Sequence, residues 1–182
     1  MEVLTQLDEL GPLLMAVVGG ISPGQLDEPT PCSQFAVRGV LEHMIGGAHN
    51  FAAAFRGVEP GATPDATDPL ADFGPALGDL AGAMHEPGAL DRTIHAPFGD
   101  LPGSTFARFV VLDGLVHGWD LATSTGQSYE PSDALVADVE SFARDTLAPL
   151  RDGETFGEPV EPSPSATPVE RLVAFTGRRP AA

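Results

Sequence analysis

Within the stretch FARFVVLDGLVHGWDLA (106–122), three titratable side chains recur at helical spacing: Asp113, His117 and Asp120. At about 100° per residue, His117 falls about 40° and Asp120 about −20° from Asp113, so the three share a sector about 60° wide. Almost everything else there is apolar or small, and the other charge, Arg108, lies on the far side. A helix apolar nearly all round is a buried helix. Burying two carboxylates and an imidazole unpaired is costly, so something must compensate: a metal ion, a hydrogen-bond network or a water-filled cleft. A carboxylate and an imidazole at i and i+4 offer two ligand atoms from one helix to one cation. The same residues also fit a structural network, with His117 held between Asp113 and Asp120.

A cation would need a further ligand from another helix. His43, in VLEHMIGG (40–47), is the best placed, at the border between an apolar face (Val40, Met44, Phe51) and a polar one (Glu42, Asn50). Gly46 and Gly47 leave room beside it, although the same position suits a half-exposed surface histidine. His49 lies about 120° around that helix from His43, so the two cannot point into one site. His85 and His95 fall near helix ends or loops and read as solvated. Cys32, in the TPC segment before this helix, reads as a small buried residue, with a ligand or redox role as the lesser reading.

Helices must position these groups. Leu4, Leu7, Leu10, Leu14 and Val17 mark a first helix over 3–18, with Gly11-Pro12 as a point of kinking or restart. Turn formers fill 22–35, and a second helix spans Val37 to Arg56. After a proline- and glycine-rich connection (57–68), Leu70, Phe73, Leu77, Leu80 and Met84 mark a third. Residues 88–103 suggest a small hairpin or irregular crossover around Phe98-Gly99. A fourth helix follows from Ser104 to Ser124, capped by Ser104 or Gly103, and a fifth from Ser132 to Leu150. An exposed loop (151–168) and a short docking helix, Pro168 to Thr176, end the chain. The expectation is an all-α four-helix bundle with a long crossover, as a single domain over 1–182.

Composition narrows the functions. The chain has 182 residues and a formal charge of −17, with 26 acidic against 9 basic residues. Such a surface repels nucleic-acid phosphates and anionic membranes. Every basic residue is arginine, which rules out Schiff-base lysine chemistry. The single cysteine excludes an intrachain disulfide and any multi-cysteine zinc or iron–sulfur site. No basic segment opens the N-terminus, and the longest apolar run, Leu13 to Ile21, has nine residues where a span needs about 20. A soluble, cytoplasmic protein is expected.

TPCSQFAVRGVLEHMIGG (30–47) followed by DGLVHGWDLATSTGQ (113–127) resembles the metal-binding domain of the mycothiol-dependent maleylpyruvate isomerase family, within the wider DinB-like (YfiT-like) metalloenzymes. The tail FGEPVEPSPSATPVERLVAFTGRRP (156–180) resembles the ending of a short, single-domain actinobacterial branch. The resemblance implies a DinB-like four-helix bundle with a divalent metal near one end: zinc first, with nickel and iron as alternatives. It places the ligands on His43, Asp113 and His117; Asp120, in the HGWD segment, would orient His117 or cap a neighbouring group. The isomerase type has glutamate where this chain has Asp113, a side chain shorter by roughly 1.5 Å; Asp113 would then bind directly or through water. The isomerase type also carries a further C-terminal domain, whereas about 55 residues follow the fourth helix here, so the resemblance does not bring maleylpyruvate isomerisation with it.

Two histidines and a carboxylate leave open positions on a divalent ion, as catalytic sites do. The leading expectation is a metal-dependent transferase or isomerase-like enzyme in which a thiol, mycothiol by resemblance, attacks a small electrophile. A hydrolase using bound water is an alternative, with Asp120 or Glu42 as base. A non-catalytic metal-binding bundle is another. A homodimer through an apolar helix face is compatible with all three.

Overall fold

In the computed structural model the described residues are all except 64, 97–98, 152–156 and 180–182. Among these described residues six α-helices form: α1 (Val3–Gly19), α2 (Val37–Arg56), α3 (Pro69–His85), α4 (Gly103–Thr125), α5 (Asp133–Thr146) and α6 (Pro168–Phe175). One antiparallel hairpin, β1 (Thr93–Ala96) and β2 (Gly99–Pro102), lies between α3 and α4, and pairs Ile94 with Leu101 and His95 with Asp100. The expected hairpin is therefore present, although Phe98 at its tip lies outside the described residues.

Helices α1 to α4 make the bundle. α1 packs on α3 and α4, and α2 packs on the same two, so the order around the bundle is α1, α4, α2, α3. Chain neighbours α1 and α2 thus face each other across a diagonal, as do α3 and α4. The hairpin segment is the long crossover across the second diagonal, and the turn-rich segment 20–36 crosses the first. α5 and α6 pack against each other and against α4. With bundle on one side and α5–α6 on the other, α4 is enclosed, which explains its nearly all-apolar sequence; Leu112, Leu115, Leu121 and Ala122 are all fully buried.

Close approach of α1 to α4 depends on two glycines one turn apart. A Cβ on Gly114 would lie 3.0 Å from Leu10 Cδ2, and one on Gly118 would lie 2.8 Å from Leu14 Cδ2 and 2.5 Å from Tyr129 Oη. Any side chain there would push α1 away from the helix that carries Asp113 and His117.

Three boundaries differ from expectation for local reasons. α1 runs through Pro12 unbroken, because the ring is on the exposed side, where the carbonyl left without an N–H partner can reach water. α5 stops at Thr146 rather than Leu150, and a 3-10 turn, Ala148–Leu150, follows around Pro149. No side chain caps α4; instead the Gly103 N–H donates to the Arg92 carbonyl at 2.7 Å, so the hairpin's own entry satisfies the helix start.

Candidate metal centre

Local sequence places each group. The turn before α2 is closed by Thr30, whose hydroxyl donates to the carbonyls of Cys32 and Phe35 at 3.0 and 2.7 Å. The first N–H groups of α2, on Val37 and Arg38, donate back to the carbonyls of Glu28 and Leu26. Phe35 is thereby set beside the helix, and its ring stacks on His43 with centroids 5.5 Å apart. On the facing helix, α4, Asp113 and His117 lie one turn apart.

The structure brings His43, Asp113 and His117 together. Asp113 Oδ1 is 3.5 Å from His43 Nε2 and 3.5 Å from His117 Nε2. The two imidazoles meet edge to face, centroids 5.0 Å apart. One potential ligand atom from each residue lies within 4.8 Å of the other two. Two donors bound tetrahedrally at about 2.0–2.1 Å sit about 3.3 Å from each other. The spacing of Asp113 to both imidazoles is close to that, so these residues fit a divalent ion. Even with the shorter side chain of aspartate, Asp113 lies 3.5 Å from both rings.

The trio has one open and one closed side. The side chains of His43 and Asp113 are each 40% exposed, whereas that of His117 is 7% exposed. Behind His117 lies Asp120, fully buried, whose Oδ2 accepts from His117 Nδ1 at 3.0 Å and from an Arg178 guanidinium nitrogen at 3.1 Å. A carboxylate oxygen accepts, so Nδ1 carries a proton, and Nε2, on the side of Asp113 and His43, is the ring atom left to bind a cation. Among the described residues, the buried Asp120 Oδ1 and Arg178 Nε find no hydrogen-bond partner.

Electrostatics follow this arrangement. Contact with Asp113 lifts the His43 imidazole above its ordinary value, against the opposing effect of burial. Burial alone would raise the Asp113 carboxyl, but His117 and then His43 outweigh it and hold the group below the usual carboxylate range. Without a cation, Asp113 thus serves as the shared counter-charge of two imidazoles.

Cys32 is half-buried rather than buried, and forms a second potential ligand group with His117 and Asp120. Burial pushes its thiol upward, partly countered by Arg178. Because Arg178 bonds Asp120 directly, its positive charge disfavours a cation on that side. The other candidates lie elsewhere. Glu42 is exposed beside Arg38, His85 pairs with Asp8 at 2.9 Å, and His95 pairs with Asp100 across the hairpin at 2.7 Å. Among the described residues the buried His49 Nε2 finds no hydrogen-bond partner, and His49 is in neither potential ligand group. Arg178 was not foreseen. The need of Asp120 for a counter-charge was legible in α4, but nothing in the GRRP segment shows which arginine would meet it.

The model of the mycothiol maleylpyruvate isomerase N-terminal domain matches residues 7–122, from α1 through most of α4, including His43, Asp113, His117 and Asp120. The chain belongs to this family. Arg178, α5 and α6 lie beyond the matched segment. Two Mycobacterium tuberculosis proteins, from strains CDC 1551 / Oshkosh and H37Rv, are each 32% identical over 170 residues, covering 90% of either chain; both are described as uncharacterized. No solved structure matches at a significant level. Among the described residues, no helix is long and apolar enough to cross a membrane.

Proposed function

We propose that this family member holds a divalent ion, zinc first, between His43, Asp113 and His117, and uses it in a mycothiol-dependent transfer or isomerisation on a small electrophile. The observation that carries the reading is Asp113 Oδ1 standing equidistant, at 3.5 Å, from imidazoles of two different helices. A divalent ion there would favour ionisation of a thiol near neutral pH, supplying a nucleophile.

The chain's own residues do the rest. Asp120 holds His117 in one tautomer and one orientation, and Arg178 balances the buried carboxylate. Phe35 stacks on the His43 ring and His117 meets it edge to face, so both neighbours hold its orientation. His43 and Asp113 lie on the exposed side, so both thiol and electrophile approach there, while the closed side keeps water from His117. In a transfer, the S–H bond breaks and a C–S bond forms at an electrophilic carbon, while the proton passes to the group that carbon expels or to the far atom of the double bond it opens; in an isomerisation by addition, the same C–S bond later breaks, the double bond re-forms, and the sulfur recovers its proton as the thiol leaves.

The test is conjugation of a small thiol to a generic electrophile by zinc-loaded, untagged protein. A thiol-dependent rate above that of the metal-free protein is expected. Turnover without thiol would assign the site to hydrolysis. Metal binding with no turnover of either kind would leave a non-catalytic bundle.

A further inference from the structure

A cavity of about 40 Å³ opens inside the bundle directly against the candidate centre. All four bundle helices line it, through Leu10, Met44, Phe51, Phe73, Leu77 and Val110 among others. Its polar wall is Asp113, the residue shared with the two imidazoles. The helical neighbours of the centre reach into it too: Met44 follows His43, and Gly114 follows Asp113.

We propose that this cavity is a subsite for a short unbranched aliphatic chain, and that a molecule handled at His43, Asp113 and His117 carries such a chain into it. Only the second half of this proposal rests on the function proposed above. Size and lining select the occupant. One water needs about 10–15 Å³ of such space, and a dry apolar cavity that takes benzene has about 150 Å³. This cavity falls between, too small for an aromatic ring and lined too uniformly by Leu, Met and Phe to hold water well. A few methylene groups fit, with a polar head left at Asp113. Backbone gaps make the space: Gly114 is already crowded by Leu10, but a Cβ on Gly11, which also lines the cavity, would meet no atom within 4 Å. Gly11 lines the cavity with backbone alone, so a side chain placed there has no neighbour to displace.

The experiment titrates chelator-treated protein with n-alcohols from ethanol to 1-hexanol, read by methyl NMR. Shifts confined to the leucine and Met44 methyls of the cavity are expected. Affinity should rise about fourfold per carbon (about 0.8 kcal/mol per methylene) and level off by about 1-butanol. Gly11→Leu, which fills the space from a helical position, should abolish binding. Leu77→Ala, which enlarges it, should carry the rise to longer alcohols. Equal affinity along the series, or a Gly11→Leu variant that binds 1-butanol like the parent, would overturn the subsite. Metal content is measured separately. Alcohol binding in a chain that takes up no metal would remove the catalytic reading and leave the subsite standing; metal uptake with no alcohol binding would do the reverse.

Discussion

His117 sits where two demands meet: its Nε2 faces Asp113 and its Nδ1 is committed to Asp120. The two carboxylates therefore do different work, and substitution should separate them. His117→Ala should lose nearly all bound metal by elemental analysis. Asp120→Asn should lose less, because an amide still fills the space and its oxygen can accept from Nδ1; second-sphere changes of this kind typically cost about 10–100-fold in affinity. Equal losses would move Asp120 among the ligands. A pH prediction applies to the metal-free chain. The folded-state value of His43 lies above 6.5, so its contribution to stability is full below that value and fades as pH rises through the raised one. The folded-state value of Asp113 lies below 3.8, so its contribution is present above that value and is lost as pH falls through the depressed one. Both operate between. In urea melts of chelator-treated protein, Asp113→Asn should therefore cost more stability at about pH 5.5 than at about pH 8.5. A larger cost at the alkaline end would contradict the pairing.

At the level of elements, α6 is short but well anchored. Thr167 and Glu170 form a reciprocal cap at its start, and Leu172 and Val173 are fully buried. The turn after it carries Arg178 to Asp120, 58 residues away in the chain. Removing one partner of a buried ion pair costs about 3–5 kcal/mol, so Arg178→Ala should lower the urea midpoint by a corresponding amount, and Arg178→Lys should recover part of it. No change would mean that Asp120 finds another donor. This contact is not written in local residue spacing. Helical periodicity located α2 and α4 closely, because amphipathic and fully apolar stripes are written in residue spacing. Asp113 and His117 followed from an i, i+4 pair, and His43 from a border position on a second helix. Arg178 obeyed no such local rule: a tail arginine becomes structural only once α6 has docked, and docking is a tertiary event. The end of α5 was missed for a smaller reason, Pro149, which the apolar pattern through Leu147 and Leu150 concealed.

For the molecule as a whole, the formal charge of −17 means that folding gathers acidic groups that repel one another. A cation bound only by the folded state offsets part of this. Metal at about 100 times its dissociation constant should stabilise by about 2.7 kcal/mol, visible as a rise in Tm that a chelator reverses. A His43→Ala/His117→Ala variant should show none of that rise. The arginine contact has its own consequence for biosynthesis. Synthesis runs from N- to C-terminus, so α4 emerges with its deepest carboxylate uncompensated, and the guanidinium that settles it is made more than fifty residues later. A nascent chain that reaches only α5 thus already carries His43, Asp113, His117 and Asp120 but not the guanidinium that pairs with Asp120.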